Sequence, residues 1–155
     1  MDAGRGVRVP PAAPRAVAVS AGDSHTCALT AVGAVKCWGA NLNGELGRGT
    51  FGPASVVPAD VVGLAAGAVA VAAGRQHSCA VTSAGVARCW GSNYSGQLGR
   101  GTIGGRDPTP ADVAGIGTRV ASITAGDDKT CALTDAGGVK CWGSNLNGEL
   151  GRGSV

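Results

Sequence analysis

Small apolar residues alternate with other types ahead of a glycine three times along the chain: Val17, Val19 and Ala21 before Gly22, then Val69, Val71 and Ala73 before Gly74, then Ala121, Ile123 and Ala125 before Gly126. Alternation with period two predicts a strand. A second strand is predicted through Cys27-Ala28-Leu29-Thr30 and a third through Val35-Lys36-Cys37-Trp38, joined by a short Gly-containing hairpin loop from Ala31 to Ala34. After the Trp-Gly pair comes a glycine-rich loop, NLNGELGRGT, whose glycines permit positive φ and close backbone approach. The Pro-bearing segments FGPASVVPADVVGL (51–64) and IGGRDPTPADVAGI (103–116) align with each other and are expected to supply a fourth, edge-like strand, where proline is tolerated. No segment carries a 3.6-residue apolar period, so the predicted architecture is all-β.

This pattern is one unit written three times. Cys27, Cys79 and Cys131 stand 52 residues apart, as do Cys37, Cys89 and Cys141, and Trp38, Trp90 and Trp142 each follow the second Cys directly. Residues 27–50 read CALTAVGAVKCWGANLNGELGRGT and residues 131–154 read CALTDAGGVKCWGSNLNGELGRGS, identical at 19 of 24 positions. The middle copy, residues 79–102, is CAVTSAGVARCWGSNYSGQLGRGT. The expected organisation is a single repeat domain: an N-terminal segment over residues 1–14, then units with their linkers at 15–64, 65–116 and 117–155.

Composition narrows the picture. At 44% apolar residues the chain is not disordered by composition, and with one Phe and one Tyr its core must be built from Val, Ala, Leu, Cys and three Trp. The 28 glycines lack a triplet period, which excludes collagen and fits many tight turns. The net charge of +3 comes from scattered Arg residues without a like-charge run, so neither nucleic-acid nor membrane affinity is predicted. No stretch approaches the roughly 20 apolar residues of a membrane helix, and prolines interrupt the N-terminus where a signal peptide's apolar run would lie.

Three chemistries compete for the six cysteines. Residues ten apart across a short hairpin can face each other within disulfide reach, giving Cys27–Cys37, Cys79–Cys89 and Cys131–Cys141. Metal sites favour closer Cys spacings, none of which occurs, and a catalytic thiol would be needed once rather than six times. Reduced thiols acting as small core residues are the alternative to the disulfides. Paired cysteines favour an extracellular or periplasmic compartment.

Other candidates follow from what the units share and where they differ. His25 and His77 occupy one position, filled by Lys129 in the third unit, and are expected to be structural, bonding a turn. Ser24-His25 suggests a nucleophile and base, but its counterparts Gln76-His77 and Asp128-Lys129 break the pattern and no orienting third group is identifiable. The NGELGRG loop lacks the ending of a phosphate cradle; Glu45, Gln97 and Glu149 are expected to cap backbone amides instead. Trp38, Trp90 and Trp142 are expected to pack between units. Positions that differ between units are free for binding: Asp23, Ser24, Arg75, Gln76, Tyr94, Asp127, Asp128 and Lys129, all in predicted loops. Tyr94 and Arg75 belong to residue types enriched in interface hot spots. No cofactor and no metal are expected.

The residues A-G-x-x-H-x-C-A-L-T (Ala21 to Thr30), V-K-C-W-G (Val35 to Gly39) and N-x-x-G-E-L-G-x-G (Asn41 to Gly49), each recurring with small changes, resemble the regulator of chromosome condensation repeat. The resemblance implies four-stranded β-propeller blades around an axis, usually seven to a ring. Three blades therefore imply an incomplete propeller, or one completed by oligomerisation, with self-association through exposed blade ends; Val7 and Val9 align with the later linkers and are candidates to donate a strand. The function expected first is a non-catalytic, secreted or surface-associated scaffold binding another protein. Two alternatives rest on resemblance alone: a regulator like the family's guanine-nucleotide exchange factor for a small GTPase, and an inhibitor of a secreted enzyme, as in β-lactamase inhibitory propellers of related blade architecture.

Overall fold

The computed structural model describes residues 14–155, and the strand donation expected of residues 1–14 lies outside the described residues but for Pro14. Among the described residues eleven strands follow one another without a helix: β1 (Ala16–Ala21), β2 (His25–Thr30), β3 (Val35–Gly39), β4 (Ser55–Asp60), β5 (Ala68–Ala73), β6 (His77–Thr82), β7 (Ala87–Ser92), β8 (Arg106–Asp112), β9 (Val120–Ala125), β10 (Lys129–Thr134) and β11 (Val139–Gly143). They form three antiparallel meanders, β1-β2-β3-β4, β5-β6-β7-β8 and β9-β10-β11. The first two blades have the four strands expected. The third has three among the described residues.

Each hairpin is set by local chemistry. Gly33 takes φ 79°, and its amide donates to the Thr30 carbonyl at 2.9 Å. Thr30 Oγ1 accepts the Ala34 amide at 3.0 Å, so the turn closes in only one way. The turn sets the register, which places Cys27 opposite Cys37, Cys79 opposite Cys89 and Cys131 opposite Cys141. All three pairs are disulfides with Cα atoms 4.1 Å apart, and no cysteine is free.

Blades stack through their inner strands, β5 against β1 and β2, β9 against β5 and β6. Two cores result. The first gathers Leu29, Val35, Leu46, Val61, Leu64 and Trp90 around the Cys27–Cys37 bridge, and the second gathers Val81, Leu98, Val120 and Ile123 around Cys79–Cys89. Neither core belongs to one blade, since a single sheet this thin buries its face only against the next. On the inner strand of the first blade Val19 is exposed, whereas its counterparts Val71 and Ile123 are half-buried and buried; Val17 is exposed as its counterpart Val69 is.

Glycine at positions 22 and 74 is required by this stacking. A methyl added at Gly22 would stand 2.2 Å from the Gly74 carbonyl oxygen; one at Gly74 would stand 2.2 Å from the His77 ring and 2.5 Å from the Gly126 carbonyl oxygen. The backbones of successive blades come close there.

Candidate functional site: the loop end of the blades

The shared residues build the joint between blades. His25 Nε2 lies 2.8 Å from Ser78 Oγ of the next blade, Ser78 Oγ donates to the Glu45 carbonyl at 2.9 Å, and Trp90 Nε1 donates to that same carbonyl at 2.8 Å. The second joint repeats it: His77 Nε2 with Thr130 Oγ1 at 2.8 Å, Thr130 Oγ1 to the Gln97 carbonyl at 2.9 Å, and Trp142 Nε1 to that carbonyl at 2.9 Å. Because each hydroxyl proton goes to the carbonyl, each imidazole Nε2 must donate to the hydroxyl. Nδ1 of His25 and of His77 is then an acceptor, buried and without a partner. Burial holds His77 down to about 4, with the neighbouring His25 pushing the same way. Burial also lowers His25, against the opposing pull of Glu45 and Asp23. Both rings are neutral joints across blades, not ligands of their own turn.

Trp38 occupies the equivalent place on the first blade but has no such acceptor among the described residues. Lys129, in the third histidine position, lies over Gly126.

The long loop after β3 and its counterparts is organised by residues that sequence reasoning passed over. Asn41 Oδ1 accepts the Leu46 amide at 3.2 Å while its Nδ2 donates to the Thr50 carbonyl at 3.0 Å; Asn93 and Asn145 do the same in their blades. Their recurrence at 52-residue spacing was the available signal. Glu45, Gln97 and Glu149 cap the amides of Asn43, Ser95 and Asn147 at 2.9, 2.9 and 2.7 Å, as the sequence led one to expect. Its own backbone amide, and after it that of Asn147, hold the Glu149 carboxyl below its ordinary range. Arg48, Arg100 and Arg152 each donate to the carbonyl of the second cysteine of their blade, tying loop to disulfide.

In a four-stranded meander the first and third connections emerge at the same end, so the variable loop residues collect there. Backbone bonds pin the two connections together: the amides of Ala40, Ser92 and Ser144 donate to the carbonyls of Ser24, Gln76 and Asp128, each at 2.8 Å. Arg75 then spans all three blades, with Nε 3.5 Å from Asp23 Oδ2, Nη1 3.8 Å from Asp128 Oδ2, and its amide on the Asp127 carbonyl at 3.0 Å. Asp128 also accepts Gln97 Nε2 at 3.1 Å. Ser24 and Gln76 have exposed side chains beside this row. Tyr94 rises from the long loop of the middle blade, 60% exposed and without a hydrogen bond to the Arg75 row. The arrangement is a polar ridge, Asp-Arg-Asp, on a rigid base, with an aromatic projection in a neighbouring loop. Among the described residues no group of three or more His, Cys, Asp or Glu stands close enough to hold a metal.

Three matches to the regulator of chromosome condensation (RCC1) repeat fall at residues 16–45, 68–97 and 120–149, more than half the chain, and a second description of the repeat matches residues 33–81 and 89–133. The chain belongs to the RCC1 repeat family. It is 38% identical over 141 residues to the regulator of chromosome condensation of Drosophila melanogaster, covering 90% of this chain and 25% of that protein. With the probable E3 ubiquitin-protein ligase HERC3 of Homo sapiens it shares 38% identity over 139 residues, 88% of this chain but 13% of the ligase. The chain thus spans a quarter or less of these relatives. Among solved structures it is similar to Prp20p from Saccharomyces cerevisiae, a protein studied for its binding to Gsp1p and histones, with a TM-score of 0.74 at 27% identity over 89% of this chain and 34% of that one. Human WBSCR16, at 24% identity, shares the fold with a TM-score of 0.75, covering 84% of this chain and 33% of its own. The RCC1 blade geometry is the one derived above from turn, register and joint.

Proposed function

We propose that this set of RCC1 blades is a non-catalytic scaffold that binds another protein through the loop end, in an oxidising, extracellular or periplasmic setting. The observation that carries the reading is the Asp23–Arg75–Asp128 row: residues that differ between otherwise near-identical blades are drawn together at one end of a stapled framework. A half-exposed arginine held by one exposed and one half-buried carboxylate, at 3.5 and 3.8 Å, gains little stability from them, so its placement is better suited to meeting a partner. The three disulfides support the oxidising compartment. The joints support self-association: Thr26 and Trp38 on the first blade correspond to the donors Ser78 and Trp90, while the Glu149 carbonyl on the third corresponds to their acceptor, so copies can meet end to end.

The similarity to Prp20p, which binds Gsp1p and histones, favours a second reading, a regulator that docks on a small GTPase. Against it stand the disulfides and a net charge of +3 from arginines scattered without a like-charge run. A third reading, inhibition of a secreted enzyme, is one form of the first.

Affinity capture with the oxidised chain, its Arg75→Ala and Tyr94→Ala variants and a variant of the opposite end, Val32→Asp, tests the loop-end reading. The expected result is a partner lost with Arg75→Ala and kept with Val32→Asp. Equal capture by all four proteins would overturn it.

A further inference from the structure

The joint between the first two blades carries a pair of side chains that the repeat does not. Phe51 and Arg106 stand where the neighbouring copies of the unit have Ile103 and Ala54. The long loop of the first blade lies against the start of β8: the Gly49 amide donates to the Pro108 carbonyl at 2.9 Å, and a Cβ on Gly44 would stand 2.5 Å from Pro108 Cα. The approach to β8 is fixed in turn by its own blade, where the Asn93 amide donates to the Gly105 carbonyl at 2.9 Å. Arg106 is thereby delivered over Phe51, with its guanidinium carbon 4.4 Å from the ring centre.

The guanidinium is held but not neutralised. Nη1 donates to the Leu42 carbonyl, and the Phe51 ring lies under the group. Among the described residues Nε and Nη2 make no hydrogen bond, and no carboxylate reaches Arg106. The adjacent Asp107 is taken by Arg100. Arg106 is exposed, as are the side chains of Leu42 at 68% and Phe51 at 44%, although the second blade is already packed against this loop. A cation–π contact at an exposed site is weak, so the pair adds little to the joint itself.

We infer that this joint is a binding site for a partner polypeptide presenting an Asp or Glu side chain beside a large apolar one. The Nε–Nη2 edge of an arginine matches the two oxygens of a carboxylate. Phe51 and the Leu42 carbonyl fix that edge in advance, which removes the ordering cost that a free arginine side chain would bring to the contact. The exposed side chains of Leu42 and Phe51 flank it. An apolar neighbour of the carboxylate gains burial there, which a bare anion or a nucleic-acid phosphate would not. The inference rests on the loop-end reading and adds the chemistry of what is bound; it makes no use of the Arg75 row.

The test titrates the ¹⁵N-labelled, oxidised chain with the end-blocked peptide GLEFG, whose only charge is its glutamate. Saturable shifts of the Arg106 Nε–H resonance and of the Leu42, Phe51 and Arg106 amides are expected. The peptide GLQFG should bind roughly three- to fivefold more weakly, and an Arg106→Gln chain should lose that preference. Phe51→Ala should weaken GLEFG binding about two- to threefold, because the guanidinium is no longer held flat. Both substitutions are at exposed side chains, so the amide spectrum of the rest of the chain should be unchanged. Equal binding of the two peptides, a preference kept by Arg106→Gln, equal shifts with inorganic phosphate, or no Arg106 shift up to millimolar peptide would each overturn the inference. If the titration fails while capture of a partner is still lost with Arg75→Ala, this inference falls and the loop-end reading stands.

Discussion

His77 Nε2 and Thr130 Oγ1 meet at 2.8 Å across a blade boundary, and the hydroxyl passes its own proton to the Gln97 carbonyl at 2.9 Å. The pair fixes the imidazole as neutral with its proton on Nε2. A protonated ring would carry a second N–H, on Nδ1, into a buried spot without an acceptor.

This makes stability depend on pH. His77 falls from 6.5 to about 4 on folding, so between those values the unfolded chain binds the proton and the folded chain does not. The contribution is complete above about pH 6.5 and is lost as pH falls toward 4. Two-state denaturant titrations should show stability falling by about 3 kcal/mol over that window, flattening below it. His77→Gln should remove most of the slope; an unchanged slope would assign it to other groups.

Gly74→Ala should be among the most damaging single changes in the chain. Its methyl would stand 2.2 Å from the His77 ring and 2.5 Å from the Gly126 carbonyl oxygen, and backbone cannot give way cheaply. A loss of about 3 kcal/mol is expected from thermal or denaturant melts. Gly101→Ala serves as a comparison: it loses a positive φ of 75° but meets no atom within 4 Å, and should cost less.

Native protein should titrate no free thiols, since all six cysteines are bridged. Replacing Cys131 and Cys141 together by Ala should cost about 2–3 kcal/mol, the loop-closure value for a bridge of ten-residue separation. Six reactive thiols in native, unreduced protein would contradict the disulfides and remove the support they give to an oxidising compartment.

Trp38→Ala addresses self-association. Trp90 and Trp142 each donate to a carbonyl of the preceding blade, at 2.8 and 2.9 Å, and Trp38 holds the same position without such an acceptor among the described residues. If copies meet end to end, sedimentation should show a concentration-dependent mass that Trp38→Ala shifts toward monomer. A wild-type mass equal to one chain at all concentrations would rule the association out.

Within the blade, little was hidden from the sequence. Period-two alternation, Gly33 in a three-residue turn and a constant spacing of ten between cysteines dictate strand, hairpin and bridge through local geometry, and local geometry repeats wherever the residues do. The caps made by Glu45 and Gln97 were legible for the same reason. The partner of His25 was not: a bond to Ser78, 53 positions on, exists only once two sheets are stacked, and nothing in one unit points across the gap. Arg75 shows the difference most clearly. As a variable loop residue it was a fair binding candidate, but its seat between Asp23 and Asp128 comes from three chain-distant loops delivered to one end by the meander. Tyr94, chosen with it, stands apart in another loop. The sequence by itself determined the blade, because turns, register and disulfides are short-range. The tertiary structure decided which faces, carbonyls and charges meet, because stacking brings together residues that no local pattern relates.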